Sequence, residues 1–263
     1  MPEGDTIHKL AAYLAPRLEG RRVDAISAAD ARAAERCSGR QVSQVYAHGK
    51  HLFIEFDNAW LMRSHLGMYG AWHRYVQGEV WQKPRRQMSI SLAANGEEFV
   101  CFNAKEIEWL NRPGVRERIV GTRLGPDLAV DDPDLDSVLH RAREFLPEDR
   151  LLADVLLDQR VAAGIGNVYK SEVLFLERRA PWQLLGDTSD DELLGCFGRA
   201  AGLLRRNLGG GPRVTRFEND GAGRLWVYRR RCLPCLNCDT RIESRRIGVH
   251  HRGTYWCPNC QSG

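Results

Sequence analysis

The sequence predicts an α+β fold in three consecutive parts. Three observations predict it. One amphipathic helical segment precedes a train of short alternating strands. The next stretch repeats its apolar residues at helical spacing, and the last part is crowded with paired cysteines.

Over Thr6 to Leu18, the residues Ile7, Leu10, Ala11 and Leu14 follow the helical apolar period. Asp5 or Thr6 can cap the start, Gly20 lies just past the end, and Pro16 marks a weakened last turn. From Arg21 to Asn103 the pattern changes to β-like runs: RRVDAIS, RQVSQVYA, KHLFIEFD, AWLMRSH, GAWHRYV, QMSISLA and EEFVCFN. Gly and Asn punctuate the gaps, so a sandwich or barrel packed against the first helix is expected. The stretch LGPDLAVDDPDLDS (124–137), rich in Pro and Asp, predicts a linker. Beyond it DSVLHRAREFL, DRLLADVLLDQ, NVYKSEVLFLE and DDELLGCFGRAAGLLRRNL read as helices, until GGGPR breaks the pattern. No internal repeat or low-complexity tract interrupts the chain.

The 263 residues leave length for a buried core and for two or three domains. Hydrophobic residues at 43% and charged residues at 27% describe an ordinary globular composition. No apolar run approaches the roughly 20 residues of a membrane span, and the N-terminus lacks a signal pattern. A cytoplasmic protein with no membrane partner is expected. The net charge of +4 hides an asymmetry: residues 201–263 hold 12 Arg against 4 acids, a net of +8, which leaves −4 for the rest. A basic quarter built wholly from Arg suits a polyanion, because guanidinium forks match phosphate oxygens. A solvated basic surface would look the same.

Cys37, Cys101 and Cys196 are scattered, as small buried hydrophobes are, whereas five cysteines crowd the last 32 residues. Such clustering in a cytosolic chain favours a metal over disulfides. Cys235-x2-Cys238 and Cys257-x2-Cys260 are separated by 18 residues. Two such pairs make a closed tetrahedral site for one structural zinc ion. Pairing Cys232 with Cys235 stretches the gap to 21 residues, beyond the ribbon range of about 15–20. Cys232 is therefore read as a bystander. Between the pairs TRIESRRIGVHHRGTYW alternates as a hairpin, with Arg252-Gly253 at or near its tip.

Two further stretches carry chemistry. In MPEGDT, removal of Met1 would leave Pro2 as a free secondary amine beside Glu3. An α-amine with a pKa of roughly 8 is partly an unprotonated nucleophile near neutral pH, and amines form Schiff bases. On six residues alone, Pro2 need do no more than permit trimming. In LLDQRVAAGIGNVYKSEVLF (156–175) a glycine-framed turn precedes a helix starting at or after Asn167. Exposed N–H groups at a helix start bind phosphate, and the glycines would let a backbone approach.

In order along the whole chain stand PEG, HGKHLF around Lys50, HLGMYG (65–70), LGPDL, LLDQ…AGIGNVY…E..F and RGTYWCPNCQ. Together they resemble the formamidopyrimidine-DNA glycosylase/endonuclease VIII family, and the endonuclease VIII type within it. The resemblance implies an N-terminal helix on a β-sandwich (1–123), a helix–two-turn–helix domain (124–225) and a zinc ribbon (226–263), with DNA in the cleft between the halves. It implies a monomeric DNA glycosylase/AP lyase of base excision repair. Its partner would be double-stranded DNA with damaged bases or abasic sites, and its place the nucleoid if the source is bacterial. By the same resemblance Pro2 attacks C1′ of an extruded nucleotide and Glu3 is the general acid at the ring oxygen. Lys50 grips phosphate and donates a proton in β-elimination. Asn167 and Arg252 clamp phosphates, Arg252 also serving δ-elimination, and Arg123 is a further DNA contact. Gly67, Met68 and Tyr69 belong to the loop that fills the space of the missing base.

Three departures stand out. Thr6 replaces a frequent Glu, Gly67 replaces the Gln of many endonuclease VIII members, and RRRC replaces a glycine-containing turn before the ribbon. Lys105-Glu106-Ile107 stands where purine-directed members carry a basic-aromatic wedge, and 209–228 looks short for a lesion-covering loop. Oxidised pyrimidines are therefore the expected substrates. The alternatives are a purine-directed glycosylase, or a zinc-ribbon protein that binds lesions without cleaving them.

Overall fold

A computed structural model of the chain describes residues 1–111 and 124–262. It divides into two compact units, Met1–Ile119 and Val120–Gly263.

The first unit opens with α1 (Gly4–Leu18), two residues earlier than the apolar period suggests. Neither Asp5 nor Thr6 caps it. Glu3 holds the N-cap position, and its carbonyl accepts from the N–H groups of Thr6 and Ile7. Ile7, Leu14 and Leu18 are fully buried, contributing about 1.5–3 kcal/mol each. That outweighs the roughly 3 kcal/mol that an internal proline such as Pro16 can cost. Tertiary packing holds this helix.

Among the described residues eight strands follow: β1 (Ala25–Ala28), β2 (Val42–His48), β3 (His51–Phe56), β4 (Leu61–His65), β5 (Ala71–Val76), β6 (Met88–Ala94), β7 (Glu97–Phe102) and β8 (Glu106–Leu110). They form two antiparallel four-stranded sheets, ordered β1-β6-β7-β5 and β2-β3-β4-β8, so the sandwich prevails over the barrel. One core joins α1 to both sheets, with Leu52, Ile54, Met62, Leu92 and Phe99 buried in it. Two elements were not expected. Helix α2 (Ala31–Cys37) is only seven residues long, too short to show a period, and is started by the Asp30 side chain accepting from the Ala33 N–H. Strand β8 becomes a strand by pairing with β4.

The second unit contains α3 (Leu135–Phe145), α4 (Leu152–Val155), α5 (Asn167–Leu176), α6 (Asp190–Arg206) and the hairpin β9 (Glu243–Ile247) and β10 (Arg252–Trp256). The expected linker is no linker. Leu128 and Ala129 enter the helical core, and 125–128 bonds to 159–163 through Gly125 N–H to Gln159 O, Ala163 N–H to Pro126 O and Leu128 N–H to Ala163 O. DRLLADVLLDQ is helical only over Leu152–Val155, and the N–H groups of its first two helical residues, Leu152 and Ala153, donate to the Gln183 and Pro181 carbonyls. Helix α6 carries a reciprocal capping box between Ser189 and Glu192. Among the described residues no helix is long and apolar enough to cross a membrane.

Candidate nucleic-acid interface and metal centre

In the first unit the chain start is anchored. Pro2 is half-buried directly ahead of α1, and Glu3 has 0% exposure. A carboxylate is seldom fully buried, least of all three residues from a chain start. The helix thus presents Pro2 and Glu3 from a rigid element.

Lys50 lies in a turn, not on a strand. Gly49 and Lys50 form the two-residue link between β2 and β3, with His48 paired to His51 across it. Gly49 at φ +54° supplies the positive φ that tight hairpin turns need. The register of β3, β4 and β8 then sets His51, His65 and Glu106 side by side, in neighbouring strands. The His51 and His65 rings lie 4.8 Å apart. Arg63 holds this row together: its Nη1 donates to His51 Nδ1 at 2.9 Å and its Nε to Glu108 Oε2 at 2.8 Å, and Nη2 meets Glu106 at 3.0 Å. A guanidinium only donates, so His51 carries its proton on Nε2. Burial, then the positive neighbours His65, Arg63 and Lys50, push His51 down to about 2. Burial and then Lys50, Lys105 and Arg63 push His65 to about 4. Both imidazoles are neutral at working pH.

The loop after β4 buries Leu66 and exposes Met68 and Tyr69, at 48% and 76%. Core packing does not claim either side chain. Gly67 is left-handed at φ +63°, and a Cβ there would lie 2.9 Å from the Lys105 Cβ. A glutamine would not fit without displacing Lys105, which accounts for that departure. Gly70 closes the loop with its N–H on the Leu66 carbonyl.

In the second unit Asn167 is the first residue of α5 and Gly166 the N-cap, so Asn167 is not the capping residue. Its side chain works elsewhere: Nδ2 donates to Gly253 O at 2.7 Å, and Oδ1 accepts from Lys170 Nζ at 2.7 Å. Asn167 is thereby joined to the strand that carries exposed Arg252. Arg252 starts β10 directly after the four-residue loop 248–251. The loop is seated on α4, where the Val249 N–H donates to Asp154 Oδ2 at 2.9 Å. Gly248 has φ +69°, and a Cβ there would meet Asp154 Oδ2 at 2.1 Å. A left-handed L-residue alone costs about 1–2 kcal/mol. Gly248→Ala should therefore lower the melting temperature by roughly 2–8 °C. Gly253→Ala, where nothing lies within 4 Å, should leave it nearly unchanged in the same thermal scan.

Glu172, part of the recognised motif but given no role from it, is the buried anchor of the pre-ribbon segment. Its carboxylate accepts from the N–H groups of Trp226 at 2.7 Å, Val227 at 2.9 Å and Tyr228 at 2.8 Å, and from the Thr215 hydroxyl. Burial raises its pKa, and these four donors oppose the rise. No sequence motif assigns a role to Arg63, Asp154, Lys170 or Thr254 either. Only Lys170 and Glu172 left a sequence signal, as charges inside an otherwise apolar helix.

The sulfur atoms of Cys235, Cys238, Cys257 and Cys260 all lie within 4.8 Å of one another. A tetrahedral zinc with Zn–S of about 2.3 Å requires sulfurs about 3.8 Å apart. The observed Cys235–Cys260 and Cys238–Cys257 separations of 3.9 and 3.4 Å fit. The Asn237 N–H reaches Cys235 Sγ and the Cys260 N–H reaches Cys257 Sγ, both at 3.4 Å, as backbone donors to thiolates do. The four cysteines hold one structural zinc ion, and with all four positions taken it leaves none for a substrate. Cys232 is exposed and outside the set. Arg123 lies outside the described residues.

Residues 1–108 match the formamidopyrimidine-DNA glycosylase N-terminal domain, and residues 233–263 match the zinc finger found in FPG and IleRS. The chain is 36% identical to the probable endonuclease 8 2 of Streptomyces coelicolor, over all of this chain and 95% of that one. It is also 36% identical to the DNA-(apurinic or apyrimidinic site) lyase Nei2 of Mycolicibacterium smegmatis, over 100% of this chain and 99% of that one. Among solved structures, it is similar to the Lactococcus lactis Fpg in complex with abasic-site DNA, with TM-score 0.83, 20% identity and full coverage of both chains.

Proposed function

The chain belongs to the formamidopyrimidine-DNA glycosylase/endonuclease VIII family, and on that premise we propose a bifunctional DNA glycosylase and AP lyase of base excision repair. The observation that carries the reading is the buried Glu3 at the start of α1, one residue from Pro2. A protein that only binds lesions has no use for a buried carboxylate beside a terminal secondary amine.

In the proposed reaction the target nucleotide leaves the stack, because C1′ is otherwise sheltered. Pro2, freed of Met1, attacks C1′ through its nitrogen lone pair. The base departs, and Glu3 protonates the ring oxygen as the sugar opens to an iminium. Lys50, held in its tight turn, pairs with phosphate and supplies a proton for β-elimination. Met68 and Tyr69, being exposed on a glycine-bounded loop, occupy the vacated space. Asn167 and Arg252 grip phosphate, Arg252 also serving δ-elimination, and Arg123 is assigned a further contact. Zinc keeps the ribbon folded and takes no part in the chemistry.

The division into 1–123, 124–225 and 226–263 stands as a functional proposal, with catalytic residues in the first part and phosphate contacts in the others. A monomer working in the cytoplasm, on the nucleoid of a bacterial cell, completes it.

Oxidised pyrimidines are the proposed substrates. The purine-type wedge has no counterpart here: Lys105 donates its N–H to the His65 carbonyl and Glu106 pairs with Arg63. The short pre-ribbon segment is tied to Glu172 by three backbone N–H groups. With less to close over a base, selection rests on the ease of unstacking, and saturated non-planar pyrimidines unstack readily. Single-turnover excision of thymine glycol and dihydrouracil should outpace that of 8-oxoguanine opposite cytosine. The reverse order would place the chain with the purine-directed enzymes.

A further inference from the structure

Lys170 is a lysine with 1% exposure on a helix whose other residues are mainly apolar. Burying an ammonium is costly unless its protons are accepted. Its Nζ donates to Asn167 Oδ1 and to Thr254 Oγ1, each at 2.7 Å, and so joins the first turn of α5 to β10. Thr254 is itself fully buried, two residues beyond Arg252.

The chemistry of these partners has one consequence for Asn167. An amide has an acceptor end and a donor end, and its two flips are nearly equal in shape. Lys170 can only donate and the Gly253 carbonyl can only accept. One orientation of the amide satisfies both, with oxygen toward Lys170 and nitrogen toward β10. The nitrogen carries two protons, so one remains for a further acceptor after Gly253 is served.

We propose that Lys170 is a positioning residue for DNA binding: it fixes the Asn167 amide with its donor end available to phosphate and pins it to the strand that carries Arg252. The proposal rests on the assignment of Asn167 as a phosphate contact. Lys170 itself stays buried and touches no phosphate.

The test is a double-mutant cycle on the full-length, zinc-loaded protein. The probe is a duplex with a tetrahydrofuran abasic analogue, and affinity is read by fluorescence anisotropy at several salt concentrations. Asn167→Ala should weaken binding; if it does not, the assignment of Asn167 fails, independently of Lys170. Given that loss, Lys170→Met should weaken binding about ten-fold, the scale on which contacting residues couple. It should add almost nothing in the Asn167→Ala background. The slope of log K against log salt should stay unchanged in Lys170→Met. A slope shallower by about 0.9 would mean that the ammonium itself neutralises a phosphate. That result, or full additivity of the two substitutions, overturns the proposal. If Lys170→Met loses zinc or melts early, Lys170→Gln replaces it. Glutamine keeps a hydrogen-bonding side chain but accepts as well as donates, so it no longer selects one amide flip. Wild-type affinity in Lys170→Gln would equally overturn the proposal.

Discussion

Borohydride added to the protein and an abasic duplex should trap a covalent protein–DNA adduct when Met1 has been removed, and none when Met1 is retained. Reduction of an iminium freezes the bond between the Pro2 nitrogen and C1′, so trapping reports the nucleophile directly. A retained methionine turns that nitrogen into an amide, whose lone pair is delocalised into the peptide bond. Pro2→Gly should weaken trapping without abolishing it, because a primary terminal amine can still form a Schiff base. Glu3→Gln should slow base excision by roughly 10²–10⁴, the usual reach of a positioned acid. It should leave trapping on a preformed abasic site less affected, since that sugar already equilibrates in water with its ring-opened aldehyde and relies less on an acid at the ring oxygen. Equal trapping by Met1-blocked protein would move the nucleophile elsewhere, with Lys50 the first candidate.

The second large effect is expected at the ribbon. Cys238→Ser should lose the single zinc, unfold the ribbon and abolish tight binding to abasic DNA. Apparent binding free energies of structural zinc, about 10–16 kcal/mol, are comparable to the whole stability of a domain, about 5–15 kcal/mol. The ribbon's own core is small: Val227, Ile242 and two zinc-binding cysteines, with Phe175 of α5. Without the metal that cluster cannot hold β9 and β10, and Arg252 and the Gly253 carbonyl lose their places together. Cys232→Ser should keep metal and affinity, since Cys232 stands outside the ligand cluster. Zinc content by a chelator dye and DNA affinity by anisotropy check both variants. Loss of zinc from Cys232→Ser would overturn the ligand assignment.

Several features were legible because their physics is local. The zinc ligands lie in two short knuckles, each needing only a Cys-x2-Cys spacing, and no distant residue has to be known. Helices α1, α3, α5 and α6 and every described strand except β8 follow from apolar period and turn residues. Residues 124–137 misled for the opposite reason. Pro and Asp are turn formers, but Leu128 and Ala129 among them pack into the helical core, and composition does not report that.

The sequence by itself located the four thiols of the zinc site, and it nominated the Pro2-Glu3 start, Lys50 after a glycine, the pair Met68-Tyr69 between glycines, Asn167 and Arg252 for the proposed chemistry. Only the tertiary structure decided how two of them are held. Lys50 occupies the turn into β3, whose His51 stands in a row with His65 and Glu106 because three strands pair in one register, and a slip of one residue would dissolve the row. The Asn167 amide is oriented by Lys170 three residues away and by Gly253 at a separation of 86. Apolar periodicity reports that a face is buried, whereas a buried polar group needs one particular partner. That partner is supplied by whatever strand or helix the fold brings against it.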